Sequence, residues 1–175
     1  MRVIIHTSTD PYFNMAAEEY LLEREPRDVF MLWQNDNAVV IGKNQNTWAE
    51  VNVPFTEENG ITVVRRLSGG GAVFHDLGNV NFTYITAHDP ARGIDFRPFV
   101  DPILRALSHL GVQAEADGRN DIVVGGAKIS GHAQCVHRLP GGEERLLHHG
   151  TMLFSSDLSR LTAALQVSPE KIRAK

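Results

Sequence analysis

The chain has 175 residues, 42% of them hydrophobic, enough for one globular domain with its own core and too apolar for a disordered chain. Its 17 Lys+Arg against 21 Asp+Glu leave a formal charge of −4, so no global positive field recruits nucleic acid, and an anionic ligand needs a local device. The single cysteine, Cys135, forms no internal disulfide and points to a reducing compartment, the cytoplasm; neither the start of the chain nor any later run supplies the ~20 apolar residues of a signal core or membrane span.

In chain order, β-branched and aromatic runs bounded by Asn, Asp, Gly and Pro predict strands over 3–5, 29–33, 38–41, 61–64, 72–74 and 80–86. Between the first two, a helix over 13–25 is opened by Asp10 and Pro11, carries Ala17, Leu21 and Leu22 on one stripe, and ends before Pro26. Ile103, Leu104, Leu107 and Leu110 recur at helical spacing and predict a second helix over 99–110, with Pro102 in its first turn and Gly111 as the left-handed residue after its end. Strands over 112–116, 121–124, 128–136 and 145–154 follow, the last two joined by a hairpin through Leu139-Pro140-Gly141-Gly142-Glu143. From Asp157 to Leu165 the pattern is helical, and 168–175 reads as the opening turns of another helix without a stop signal. Strands clustered in runs argue for an α+β fold with mixed, mainly antiparallel sheets flanked by helices.

The chemistry-bearing residues fall in three clusters. In Arg65-Arg66-Leu67-Ser68-Gly69-Gly70-Gly71-Ala72-Val73-Phe74-His75-Asp76-Leu77-Gly78-Asn79, three glycines let backbone N–H groups converge on a phosphate or carboxylate, and the arginines add charge. The pattern is neither a Walker loop nor a dinucleotide fingerprint, because the glycines lie between two strand-like runs. The second cluster, Gly118-Arg119-Asn120-Asp121 and 125–133, places Lys128 on a strand with a small-residue face, where an anion can partner its ammonium. Asp121 there reads equally as a Mg²⁺ contact through phosphate or as a turn carboxylate. The third is His148-His149-Gly150-Thr151: adjacent histidines on a strand face opposite ways, so they do not form a metal pair, and no structural metal is assigned. Cys135, lying in a strand pattern, reads as a small buried hydrophobe rather than a nucleophile.

Taken in order, Asp10-Pro11-Tyr12-Phe13-Asn14 with Glu18-Glu19, Val39-Val40-Ile41-Gly42-Lys43-Asn44-Gln45-Asn46, the Arg65 to Asn79 block, the Asp121 turn, Lys128-Ile129-Ser130-Gly131 and His148-His149-Gly150-Thr151 resemble the lipoate-protein ligase A family over nearly the whole chain. The resemblance implies a biotin/lipoate ligase-like catalytic fold and two steps: lipoate and ATP, with Mg²⁺, give lipoyl-AMP, and the lipoyl group then passes to a specific lysine. It implies ATP or lipoyl-AMP contacts at Arg66, Ser68, Gly69, Gly70, Gly71, Ala72, Val73, Phe74, Asn79 and Lys128, and lipoate contacts at Lys128, Gly70, Gly71 and His149. Asn120 and Asp121 would meet phosphate or Mg²⁺, and Lys128 would act as an electrostatic catalyst. The acyl slot is expected near Val40, Val73, Phe74 and Met152, and His149 or Asp121 could take the acceptor lysine's proton.

Implied partners are lipoyl domains of 2-oxoacid dehydrogenase complexes or the glycine cleavage H protein, and a separate C-terminal accessory domain, with no nucleic acid and no membrane. Residues 1–175 would be the large catalytic domain, ending before an adenylate-binding loop and that accessory domain. Two alternatives stay open. One is an octanoyl or lipoyl transferase working without ATP, although no cysteine precedes Lys128 as in one transferase branch. The other is a noncatalytic lipoate- or lipoyl-AMP-binding module that needs a partner.

Overall fold

A computed structural model describes residues 1–118 and 120–166; the predicted helical turns at 168–175 lie outside the described residues. The first strand, β1 (Arg2–Ile5), leads into α1 (Pro11–Arg24). Asp10 caps this helix by accepting from the N–H groups of Tyr12 at 2.8 Å and Phe13 at 3.3 Å, and Pro11 occupies the first turn, where its missing N–H costs nothing. The buried stripe is Pro11, Asn14, Glu18 and Leu22; Ala17 and Leu21, expected on it, are only half-buried. Asn14 and Glu18 can face inward because each finds buried hydrogen-bond partners, whereas Leu22 contributes about 1.5–3 kcal/mol by leaving water entirely.

The chain continues through β2 (Val29–Trp33), β3 (Ala38–Ile41), α2 (Thr47–Glu50), α3 (Val53–Glu58), β4 (Thr62–Arg65), β5 (Val73–His75) and β6 (Asn79–Ala87). It then runs through α4 (Arg97–His109), β7 (Glu115–Asp117), β8 (Asp121–Val124), β9 (Ala127–Arg138), β10 (Glu144–Leu153) and α5 (Leu158–Ala164). A seven-stranded sheet has the order β1-β2-β6-β10-β9-β8-β7, and a three-stranded sheet the order β4-β3-β5. Only β1/β2 and β3/β4 pair parallel, so the sheets are mixed and mainly antiparallel, as the clustering of strands predicts.

Period-two alternation divides the large sheet between two helices. Val29, Met31, Trp33, Ile85 and Leu147 pack with Leu22 of α1 on one face; Phe82 and Tyr84 pack with Phe99 of α4 on the other. The small sheet packs its Val39, Ile41 and Phe74 against Val51, Ile61 and Ala164.

Beyond shifts of one or two residues at several element ends, three features differ from the sequence pattern. α4 begins at Arg97 with Pro98 in its first turn, so Pro102 lies inside the helix rather than at its start. After α4, Gly111 takes φ +80° and Val112 N–H bonds back to Leu107 O at 2.9 Å. Residue 112 is thus spent on closing the helix, and the strand expected over 112–116 shrinks to exposed β7. The short helices α2 and α3 escape the apolar pattern; their signals are the capping residues Asn46 and Asn52, whose side chains accept from Trp48 and Phe55 N–H.

On the α4 face, Gln134 donates to His148 Nδ1 at 3.0 Å, His148 Nε2 meets His132 Nδ1 at 2.9 Å, and His132 Nε2 meets Ser130 Oγ at 3.0 Å, with the His148 ring stacked on Phe99 at 4.6 Å. Burial keeps these rings neutral, pulling His132 to about 4 and His148 to about 2; burial also pulls His75 to about 3. In the unfolded chain all three titrate near 6.5. Their folded values are depressed, so the unfolded state binds more protons below that pH, and their contribution is complete above pH 6.5 and lost progressively beneath it. The urea midpoint should therefore fall between pH 7 and pH 5, by the equivalent of about 2 kcal/mol or more. An unchanged midpoint would contradict the neutral assignment.

Candidate active site

The two adjacent arginines brace different loops. Arg65 Nη1 donates to Gly42 O at 2.9 Å, Lys43 O at 3.3 Å and Gln45 O at 2.9 Å, and its Nη2 donates to Thr47 Oγ1 at 3.0 Å, fixing the loop after β3. Arg66 turns inward and is only 9% exposed. Its Nη2 donates to Gly69 O at 2.8 Å and Gly71 O at 2.7 Å, its Nη1 to Val40 O at 3.3 Å, and its Nε to Ser68 Oγ at 3.1 Å. Burial pulls the guanidinium below its usual value, with the charge of Glu18 opposing. Arg66 thus holds the carbonyls of Gly69 and Gly71. Among the described residues no hydrogen bond engages the N–H groups of Gly69, Gly70 or Gly71, which leaves them to an anion.

The two loops touch at glycines. A Cβ on Gly42 would stand 2.2 Å from Gly70 O, and Gly70 itself has φ +96°. Lys43 N–H also bonds to Ser68 O at 2.8 Å. Glycine at 42 permits a backbone approach that any side chain would forbid.

Lys128 reaches the same region through a break in strand alternation. Asp121 pairs with Gly131 and Ile122 with Ser130, but Val123 pairs with Lys128, so Ile129 is an extra residue bulged out of β9. Without the bulge Lys128 would share a face with Ser130 and His132; with it, Lys128 shares the face of Gly131 and Asp121. Its Nζ lies 2.7 Å from Asp121 Oδ1, and a Cβ on Gly131 would come within 3.3 Å of that Nζ. The ammonium is half-exposed, held by one carboxylate, and open to an anionic ligand on its other side.

These elements surround a cavity of about 480 Å³ whose polar lining includes Arg66, Asn120, Lys128 and His149 with the backbone of Gly70 and Gly71. Its apolar wall is built from Trp33, Val40, Val73, Phe74, Leu161 and Leu165. Ala72 and Asn79 also line it. Of the residues expected at the site, Ser68 and Asp121 stand behind the lining, each holding a lining residue, and Gly69 holds Arg66 through its carbonyl. Val40, Val73 and Phe74, expected near the acyl slot, line the cavity. Met152 does not: on β10 the cavity receives His149, Thr151 and Leu153, and alternation turns Met152 to the opposite face.

Glu18 belongs to the site although the pattern showed only its place in a motif. It is 1% exposed and accepts from Thr83 Oγ1 at 2.5 Å; His149 Nδ1 lies 3.0 Å from its Oε1, and His149 Nε2 lies 2.6 Å from Ser68 Oγ. Ser68, His149 and Glu18 have the connectivity of a nucleophilic triad, but Ser68 is 0% exposed and its oxygen also receives Arg66 Nε, so no substrate carbonyl can reach it. The sequence signal was the spacing of Asn14, Glu18 and Leu22 along one helix face. His148 points the other way, as alternation of adjacent strand residues requires. Burial pushes the Cys135 thiol up to about 11, and its side chain packs against the α1-side core.

Two substitutions test this geometry. Gly42→Ala should separate the two loops and destabilise the fold by about 1–3 kcal/mol, read from the thermal midpoint. Cys135→Ala should leave any activity within about twofold, and the wild-type thiol should resist alkylation at pH 8 until the chain unfolds.

The description Lipoyl protein ligase A/B catalytic domain matches residues 10–175. A relative, Lipoate-protein ligase LplJ of Bacillus subtilis, is 48% identical over 168 residues, covering 95% of this chain and 49% of the relative. The chain therefore spans about half the length of the curated relatives it matches. A bi-partite lipoate protein ligase of Thermoplasma acidophilum, from a structural study that includes its E2 lipoyl domain, superposes with a TM-score of 0.84 at 29% identity, covering 98% of this chain and 68% of that one. A crystal structure of lipoate-protein ligase A bound with ATP gives a TM-score of 0.82 at 28% identity, covering 98% and 74%. With the triglycine turn, the strand lysine and the sheet order all accounted for, the chain belongs to the lipoyl protein ligase A/B catalytic domain family.

Proposed function

We propose that this chain carries the catalytic site of an ATP-dependent lipoate-protein ligase. The observation that carries the reading is the meeting, at one cavity, of Lys128, the backbone of Gly70, Gly71 and Ala72 and a set of apolar side chains. An acyl tail fits the chamber between Trp33, Val40, Phe74 and Leu161, which leaves its carboxylate at the polar lining. There a carboxylate oxygen attacks the α-phosphorus of ATP and pyrophosphate departs, giving lipoyl-AMP. In the second step an acceptor lysine amine, having lost a proton, attacks the acyl carbon, and AMP leaves with the electrons of the broken C–O bond.

Lys128 is the group whose charge matters in both steps. Its ammonium offsets the carboxylate–phosphate repulsion of the first and the developing oxyanion of the second. Asp121 holds that ammonium from behind through the 2.7 Å contact. Of the two residues assigned to phosphate or Mg²⁺, Asn120 lines the cavity while Asp121 is turned to Lys128, so Mg²⁺ would arrive with ATP as part of the substrate, with Asn120 the residue that would offer it an oxygen. The contacts assigned from the resemblance to Arg66, Gly70, Gly71, Ala72, Val73, Phe74, Asn79 and His149 rest on their shared lining of the cavity.

The acceptor proposed is a lipoyl domain of a 2-oxoacid dehydrogenase complex or the glycine cleavage H protein, in the cytoplasm; the archaeal relative studied with its E2 lipoyl domain supports the first. No helix among the described residues is long and apolar enough to cross a membrane. Because the relatives are about twice as long, residues 1–175 are proposed as the large domain, with full activation calling on an accessory domain. The raised Cys135 thiol disfavours a thiol-dependent transferase.

The test is mass spectrometry of an apo lipoyl domain after incubation with the chain and either lipoate plus ATP or preformed lipoyl-AMP. Transfer from lipoyl-AMP is expected, with ATP-dependent modification rising when the accessory domain is added. Modification from octanoyl-carrier protein without ATP, or none from any donor, would overturn the reading. Lys128→Ala should cut transfer at least about 100-fold while leaving the circular dichroism spectrum unchanged.

A further inference from the structure

The hydrogen bonds around Glu18 form a chain with one direction. Trp33 Nε1 donates to Thr83 Oγ1 at 2.9 Å, and Thr83 donates to Glu18 at 2.5 Å. From the other side, Arg66 Nε donates to Ser68 Oγ at 3.1 Å, Ser68 meets His149 Nε2 at 2.6 Å, and His149 Nδ1 meets Glu18 at 3.0 Å. A carboxylate only accepts, so His149 carries a proton on Nδ1, and Nε2 shares a hydrogen with the Ser68 hydroxyl. Both arms therefore end on one buried acceptor. One arm starts at the apolar wall, because Trp33 lines the chamber; the other starts at the rim, because Arg66 holds the carbonyls of Gly69 and Gly71.

The chain crosses β2, β6 and β10, neighbours in one sheet, and ties them to α1 and to the turn after β4, which lie outside that sheet. Every member from Thr83 to Arg66 is at most 10% exposed in its side chain or residue, so water does not substitute for a lost link. The imidazole of His149 is also a cavity wall, which makes the chamber's contents part of what orients it.

We propose that Glu18, His149 and Ser68 are positioning residues that couple the apolar chamber to the triglycine rim, so that an acyl tail in the chamber raises affinity for the nucleotide. A tail seated against Trp33 and His149 restricts both rings to the orientations in which they reach Thr83 and Glu18. Ser68 and Arg66 are then fixed in turn, and the amides of Gly69, Gly70 and Gly71 are ordered before the nucleotide arrives. The second ligand meets a turn already ordered, and by linkage the nucleotide raises affinity for the acyl ligand by the same factor. The inference rests on the proposed function for the identity of the two ligands, but not for the hydrogen-bond chain itself.

Calorimetric titration of the 175-residue chain with a non-hydrolysable ATP analogue, in the absence and presence of saturating lipoate, measures the coupling. Wild type should bind the analogue about tenfold more tightly with lipoate present, the worth of one charge-assisted hydrogen-bond link. Glu18→Gln places an N–H₂ donor or a weaker acceptor against His149, and Ser68→Ala cuts the rim arm; in both the factor should fall to about one. Thr83→Val cuts the other arm and should do the same while leaving the His149 tautomer unchanged. Nitrogen NMR of ligand-free protein reads that tautomer directly: Nδ1–H in wild type, altered in Glu18→Gln. Thermal midpoints identify folded variants, and any one of the three that folds suffices.

Retention of the wild-type factor in a folded Glu18→Gln, Ser68→Ala or Thr83→Val variant overturns the coupling. So does an Nε2–H tautomer in wild type. A wild-type chain that binds neither lipoate nor the analogue overturns the proposed function and the coupling together, whereas binding of both without mutual effect overturns the coupling alone.

Discussion

A buried guanidinium shapes the site. Arg66 has left water, and a positive charge in that position would cost several kcal/mol if its donors were unpaired. Its N–H groups are satisfied by carbonyls of the triglycine turn and of β3, and its charge is balanced across Ser68 and His149 by the buried carboxylate of Glu18. In a trans peptide the N–H lies opposite the carbonyl, so holding Gly69 O and Gly71 O turns the N–H groups of Gly70 and Ala72 away from Arg66. The glycines supply the freedom to adopt that turn, but the arginine selects the shape.

The same logic explains why the two sheets need each other. The small sheet contributes Arg65, Arg66 and the turn; the large sheet contributes His149, Lys128 and the chamber wall. Gly42 brings the loop after β3 against Gly70, and α5 closes the chamber with Leu161 and Leu165. α5 is itself fastened at both ends: Asp157 N–H bonds to Asp76 Oδ2 at 2.7 Å, and Asn52 Nδ2 donates to Ala163 O at 2.9 Å. Apolar burial supplies most of the cohesion, while the polar contacts decide which arrangement is adopted.

The polar residues facing the α1 side and those facing the α4 side of the large sheet do different work. His148, stacked on Phe99, and His132, set against Phe82, are neutral and engaged with one another and with Gln134 and Ser130; His132 and Ser130 also reach the cavity lining. His149, one residue along from His148, connects a carboxylate to the wall of the cavity. One residue of strand alternation separates a structural imidazole from one built into the proposed site.

Much of this was legible in the sequence because it is local. Asp10 and Pro11 open α1, Gly111 closes α4, the run from Arg65 to Asn79 marks an anion turn, and adjacent histidines must point apart. Clustered strands gave the α+β class. What local pattern could not carry was any decision made between distant segments. Alternation along β9 would send Lys128 to the wrong face, and only the pairing with β8, with Ile129 left over, brings it to Asp121. Glu18 and His149 are 131 positions apart, and a glutamate in an amphipathic helix is ordinarily solvated; packing of α1 on the sheet made it the buried acceptor. Periodicity fixes which residues share a face of one element. Register and packing fix which faces meet, and a single extra residue in a strand exchanges them.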